Sequence, residues 1–174
     1  MKKLPIIISI TLGIILPCFF YLFFIYKDSP PKTSLPKFEI QNVALPSSQL
    51  FEIREDKDVT QQILNGNSFL IFLKVGCEAC KKDVETINKI VKKANTKIKF
   101  YGVTVEDKES IFNSFGNNVS FPLLFDRNSL LFKELQIRYF PTKLLINNGI
   151  IVKSWIGNFE NEEKMLKELE IRSN

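Results

Sequence analysis

The stretch "SFLIFLKVGCEACKKDVETINKIVKKA", Ser68 to Ala94, decides the fold. Its first part, Ser68 to Val75, is a continuous apolar run rich in β-formers and too short for an ordinary helix, as a central parallel strand buried on both faces should be. Gly76 permits a turn. From Cys77 to about Ala94 the apolar Val84, Ile87, Ile90 and Val91 recur at spacings of three and four, which marks an amphipathic helix with lysines on its wet face. Strand, turn and helix thus bracket Cys77 and Cys80. A lone C-x-x-C fits redox chemistry, a metal site or a simple staple.

Outward from that unit the pattern continues. "TKIKFYGVTV" (Thr96 to Val105) reads as the next strand, Lys108 to Phe115 as a polar helix stopped by "GNN", "FPLLFD" (Phe121 to Asp126) as a short strand, and "NSLLFKELQI" as a short helix capped by Asn128. "PTKLLIN" and "IIVKSWIG", joined by Asn148-Gly149, predict a hairpin. A last amphipathic helix is expected over Asn161 to Ile171, with Met165, Leu166, Leu169 and Ile171 available for packing. Upstream, extended pieces are expected near Lys37 to Ile40 and Leu50 to Arg54, and a helix from Asp58 to Leu64. After Ser68 the order β-α-β-α-β-α-β-β-α predicts an α/β domain, its sheet largely parallel with an antiparallel hairpin at the end.

Leu4 to Tyr26 holds no charge over 23 positions. As a helix at about 1.5 Å per residue it exceeds the roughly 30 Å hydrocarbon layer, so it reads as a membrane span. A cleaved signal peptide competes, but "FFIYKDSPPK" lacks a small-x-small site, which favours an uncleaved anchor. Cys18 follows Pro17 and precedes eight further apolar residues, so it reads as a lipid-facing or packing cysteine rather than a lipidation site. "KDSPPKTSLPK" reads as a tether. The expected organisation is an anchor over 1–26, a linker over 27–36 and one globular domain over 37–174. Lysines flank both ends of the span; Lys2 and Lys3 with the terminal amine form a signal-anchor n-region, which favours the N-terminus inside and the domain outside.

Two of the 24 basic residues precede the span, so 22 stand against 19 acids beyond it, a balance of +3. The charges are interspersed, which argues against a nucleic-acid surface. Histidine is absent, which removes the commonest general base and metal ligand together.

Cys77 enters the first turn of a helix, where unpaired amides and the helix dipole favour a thiolate, and Cys80 lies one turn on, able to close or resolve a disulfide. Structural zinc needs about four ligands, and neither a second C-x-x-C nor a histidine is present. Covalent haem would want His where Lys81 stands. A static staple stays open, although so tight a loop contributes little loop-closure stabilisation. Peroxidase chemistry wants Thr or Ser three residues before the attacking cysteine, and Lys74 stands there.

From about Ser68 to Leu169 the chain resembles the thioredoxin-like, membrane-anchored thiol-disulfide oxidoreductases of the TlpA and ResA type. "GCEACKKD" is similar to that family's C-E-x-C-K-K followed by an acid, and "FPLLFD" and "LQIRYFPTKLLINNGIIVKSWIG" resemble its closing segments. The resemblance implies a thioredoxin-like fold, a central mixed sheet flanked by helices behind a transmembrane helix. It also implies that Cys77 attacks, Cys80 resolves, and Pro141 is a cis-proline opposite them, with the backbone of Phe140 pairing with substrate. Glu78 and Asp83 match the family's two acids. A carboxylate beside a thiolate disfavours it and pushes the pair toward a reductant, which Lys74, Lys81 and Lys82 oppose. The chain departs from the family where Gly76 replaces a tryptophan, where Ile71 replaces a polar strand residue, and in lacking a Gly-Lys hairpin before Ser68.

The implied function is protein dithiol-disulfide exchange at the outer face of a bacterial cytoplasmic membrane, as a reductase with an apocytochrome c client. The implied partners are protein thiol or disulfide substrates and a membrane or extracytoplasmic electron donor, with no cofactor beyond the Cys77–Cys80 pair. A disulfide oxidant or isomerase, and a non-enzymatic interaction module, are the alternatives.

Overall fold

The computed structural model describes residues 39–93, 96–115, 118–159 and 161–169. The chain divides after Pro36, and every described residue belongs to the second unit, Lys37–Asn174. The expected span and tether lie outside the described residues, among which no helix is long and apolar enough to cross a membrane.

In chain order the described elements are β1 (Val43–Ala44), β2 (Leu50–Glu52), β3 (Lys57–Asp58), α1 (Thr60–Leu64), β4 (Asn67–Phe72), α2 (Glu78–Lys93), β5 (Lys99–Thr104), α3 (Lys108–Phe115), β6 (Leu123–Asp126), α4 (Leu130–Glu134), β7 (Thr142–Asn147), β8 (Ile150–Ile156) and α5 (Glu162–Glu168). The strands form one sheet in the order β1-β8-β7-β4-β5-β6-β2-β3.

β4 is central because its apolar run can satisfy both faces. Phe69, Ile71 and Leu73 enter a core built with Ile87 and Ile90 of α2, Ile111 of α3 and Met165 of α5. Leu70 and Phe72 enter a second core with Ile63 of α1 and Leu131 of α4. Full burial of each such side chain contributes about 1.5–3 kcal/mol, so the strand leading to Cys77 is among the most firmly held parts of the fold. The result is a three-layer α/β/α sandwich.

The sheet is mixed rather than largely parallel. Only β4–β5 and β5–β6 run parallel. β7 pairs antiparallel with β4, and the β2–β3 hairpin adds to the same sheet beside β6. The extended piece expected at Lys37 to Ile40 is also displaced, in so far as it lies within the described residues. Glu39 and Ile40 form no strand, Asn42 turns the chain at φ 57, and Val43–Ala44 pair with β8 instead. The Asn-Gly hairpin is present, with Asn148 and Gly149 at φ 47 and 76, as a two-residue turn with both central φ positive requires.

Asn128 does not cap α4. Ser129 occupies the cap with no side-chain bond, and Asp126 supplies the acceptors instead, taking the Leu130 amide at 3.2 Å and the Phe132 amide at 3.3 Å. Asn161 does cap α5, accepting from the Lys164 amide at 2.8 Å.

Candidate functional site

β4 and β7 are neighbours with Phe72 opposite Thr142, so the chain leaving β4 toward Cys77 passes the loop that enters β7 through Pro141. Leu73 is still held to the sheet by its amide on the Val103 carbonyl at 2.9 Å. The Val75 amide then donates to the Glu106 carboxylate, and Gly76 turns the chain at φ 74. An L side chain is strained there, which accounts for glycine at the position where the resembled family carries tryptophan.

Cys77 caps α2. Its carbonyl accepts the Lys81 amide at 3.2 Å, and its Sγ accepts the Cys80 amide at 3.0 Å. That is the bond an N-cap side chain makes to the third helical residue, here at the positive end of a sixteen-residue helix. Cys77 and Cys80 form a disulfide with Cα atoms 5.2 Å apart. Cys77 is half-buried, whereas Cys80 is fully enclosed. Thus one sulfur is accessible and the other lies behind it. Among the described residues no group of three or more His, Cys, Asp or Glu is arranged to hold a metal ion.

The two acids part company. Glu78 is exposed and bonds Lys81 at 2.7 Å, and that hydrogen bond, with the lysine's charge, holds its carboxyl below the usual range. Asp83 is buried, one turn beyond Cys80, and forms an ion pair with Lys143 of β7. The Asp83 carboxylate also accepts the Asn158 side-chain amide at 3.0 Å and the Phe159 backbone amide at 3.3 Å. Lys143 donates in addition to the Gly157 carbonyl and lies 4.3 Å from the centre of the Phe159 ring. Burial pulls the Lys143 ammonium below its ordinary value, and the adjacent Asp83 charge and hydrogen bond oppose that pull.

The Phe140–Pro141 peptide bond is cis, as the resemblance implied. Gly157 donates its amide to the Pro141 carbonyl at 2.9 Å, and Asn158 donates to the Ala79 carbonyl at 2.5 Å. The loop after β8 therefore ties the proline to Ala79, one of the two residues between the cysteines. Phe140 is half-buried against both cores, its ring 6.0 Å from that of Phe132 and 5.8 Å from the Lys74 ammonium.

Sequence reasoning missed Lys143, Asn158 and Glu106. The signal for Lys143 was a charge in a strand with sheet partners on both sides, since a fully buried lysine needs an acid beside it. Asn158 and Glu106 sit in loops and carry no such signal.

No family model matches the chain, and no curated protein matches it in sequence. Solved structures do match. StoA from Bacillus subtilis is 25% identical with a TM-score of 0.59, over 72% of this chain and 98% of StoA. The thioredoxin domain of a thiol-disulfide oxidoreductase from Bacteroides vulgatus is 15% identical with a TM-score of 0.60, over 75% of this chain and 96% of that domain. A 2-Cys peroxiredoxin from Plasmodium vivax is 15% identical with a TM-score of 0.58, over 75% of this chain and 94% of its own. The fold is thioredoxin-like.

Proposed function

We propose that the chain exchanges disulfides with protein substrates outside the cytoplasm, held to a bacterial cytoplasmic membrane by the apolar segment at 4–26. The observation that carries the exchange reading is the placing of the half-buried Cys77 sulfur as the cap of α2, with the enclosed Cys80 as its disulfide partner. In the reduced protein the Cys77 thiolate attacks one sulfur of a substrate disulfide. A Cys77–substrate disulfide forms and the other substrate sulfur leaves as a thiolate. Cys80, deprotonated, then attacks the Cys77 sulfur, releasing the second substrate thiolate. The enzyme is left oxidised, the substrate has gained two electrons, and a membrane or extracytoplasmic dithiol donor restores the reduced pair.

Two opposed features bear on direction. A buried carboxylate one turn from Cys80 disfavours the thiolate of the reduced pair and so favours a reductant, and in this reading Asp83 receives the Cys80 proton and passes it to solvent. Capping of α2 by Cys77 stabilises the thiolate and favours an oxidant or isomerase. We favour the reductase, with an apocytochrome c whose haem-binding cysteines must be kept reduced as the client class. Glu78, bonded to Lys81 on the surface, modulates the charge near Cys77, while Phe140 and Pro141 position an extended substrate backbone.

The experiment is trapping with Cys80→Ala in membranes of cells making the full chain, together with the equilibrium of the wild-type pair against glutathione. Disulfide-linked clients and a pair more reducing than glutathione are expected. A pair well above glutathione in potential would make the protein an oxidant. A Cys77→Ser protein that keeps its cellular phenotype would make it an interaction module.

A further inference from the structure

The four residues from Lys74 to Cys77 form the turn that delivers the attacking sulfur. The Cys77 amide donates back to the Lys74 carbonyl at 3.3 Å, and Gly76, third of the four, stands at φ 74. That is a type II turn, which requires a positive φ at its third residue. Such a turn leaves the amide of its second residue, Val75, without a partner inside the turn. Packing does not steady Gly76 either, since no atom beyond its chain neighbours lies within 4 Å of where a Cβ would stand.

Glu106 supplies the partner. The Leu73 amide bonds the Val103 carbonyl at 2.9 Å, and a parallel ladder repeats every two residues, so the Val75 amide would next turn to Val105. β5 ends at Thr104, and the carboxylate of Glu106 takes that amide instead. Glu106 is itself fixed, because its own amide donates to Thr104 Oγ1 at 3.1 Å, and Thr104 is buried in the sheet opposite Phe125. The turn before Cys77 therefore hangs from the core of the sheet through one half-buried carboxylate.

We propose that Glu106 is a positioning residue for Cys77: by bonding the Val75 amide it holds the Lys74–Cys77 turn in one shape, and so keeps the Cys77 sulfur against Cys80 when no disulfide joins them. The proposal rests on the exchange reading above. In the oxidised pair the S–S bond, with Cα atoms 5.2 Å apart, holds Cys77 by itself. In the reduced protein and in the Cys77–substrate disulfide that restraint is gone. Closure then depends on how often the Cys77 sulfur stands within reach of Cys80, and a turn fixed beforehand removes that orientational search. The role belongs to the reach of the Glu106 side chain rather than to its charge, because the Val75 amide needs an acceptor oxygen at that point.

Two substitutions separate reach from charge. Glu106→Gln keeps the length and an acceptor oxygen but loses the charge. Glu106→Asp keeps the charge but, one methylene shorter, falls short of the Val75 amide, and Glu106→Ala removes both. All are followed in the full chain, reduced, with dithiobis(nitrobenzoate) as the disulfide. The Cys77 thiolate attacks the reagent, forming a Cys77–thionitrobenzoate disulfide and releasing one coloured thiolate. Cys80 gives its proton to solvent and attacks the Cys77 sulfur, which releases the second coloured thiolate and leaves the Cys77–Cys80 disulfide, so the second phase measures closure. Closure should be about tenfold slower in Glu106→Asp and Glu106→Ala, and within about twofold of the wild type in Glu106→Gln. Hydrogen exchange at the Val75 amide should be slow in the wild type and Glu106→Gln and fast in the other two. Closure at the wild-type rate in Glu106→Ala overturns the proposal, as does closure in Glu106→Gln as slow as in Glu106→Ala, which would make the charge the effective part. Absence of any second phase in the wild type would instead strike the exchange reading, while protection of the Val75 amide would still report the bond.

Discussion

The Cys80 amide donates to the Sγ of Cys77 at 3.0 Å, so the sulfur of one cysteine caps the helix that carries the other. The two positions are chemically unequal, because Cys77 is half-buried at the helix terminus and Cys80 is enclosed. In the reduced protein, iodoacetamide should modify Cys77 at least about tenfold faster than Cys80, read by peptide mass spectrometry over time. Equal labelling would mean that Cys80 is not shielded and that the order of attack is not set by the fold.

The same relationship separates stability from chemistry. Serine is among the strongest N-cap residues, whereas alanine forgoes the cap at a cost of about 1 kcal/mol. Cys77→Ser should therefore leave the urea midpoint of the reduced protein nearly unchanged and abolish exchange. Cys77→Ala should lower that midpoint as well. Identical midpoints for the two variants would show that the sulfur does not act as a cap once the disulfide is open.

Gly76 sits at φ 74 with nothing within 4 Å of where a Cβ would stand, so a substitution there meets backbone strain rather than a clash. Gly76→Ala should lose about 1–2 kcal/mol in urea unfolding, and Gly76→Asn less, because asparagine visits the left-handed region more readily. Gly76→Trp, which restores the aromatic of the resembled family, should incur the same backbone cost. Its effect on Cys77 alkylation shows whether the added ring covers the sulfur.

How far the sequence discloses this site follows the range of the signals. β4 and α2 are local, and their apolar run and three-four spacing place Cys77 at the turn between them. The Asn148-Gly149 turn is likewise written in two adjacent residues. Sheet order is not local: β2 pairs with β6 because of contacts more than seventy residues apart, and Ser48 bonds Asp126 across 78 positions. Asp83 could be singled out near the cysteines, but its burial depends on Lys143, sixty residues away on another element. A carboxylate that resembles a surface helix acid in the sequence becomes a core charge only once β7 is laid beside β4.

Asp126 gathers three donors at full burial: the Ser48 hydroxyl at 2.7 Å, the Leu130 amide and the Phe132 amide. It replaces the cap that α4 lacks and fastens the Ser48 segment to β6. Asp126→Ala leaves the buried Ser48 hydroxyl and two partly buried amides without their acceptor, at about 1–3 kcal/mol for a buried donor and less for the amides, so a loss of about 2–3 kcal/mol in urea unfolding is expected. Asp126→Asn keeps one acceptor oxygen and should lose less. Equal stability of the alanine variant and the wild type would mean that solvent reaches these amides.

Glu168 of α5 and Lys153 of β8 tie the last helix to the sheet, and the hydrogen bond from Lys153, aided by its charge, holds the Glu168 carboxyl below its usual value. A lowered acid binds fewer protons folded than unfolded within the window between its two values. Its contribution is therefore complete above the unfolded value near 4.5 and is lost as pH falls through the lower folded one. Glu168 and Lys153 are 31% and 40% exposed, so solvent screening keeps the whole contribution under about 1 kcal/mol. Trp155, the only tryptophan, lies 5.2 Å from the Lys153 ammonium and packs on Phe159, which makes its fluorescence a local reporter of unfolding. Urea midpoints followed by that signal should be lower for Glu168→Gln than for the wild type at neutral pH, and the gap should close as pH falls through the lowered folded value. A gap that persists unchanged in acid would assign the effect to packing of α5 rather than to the ion pair.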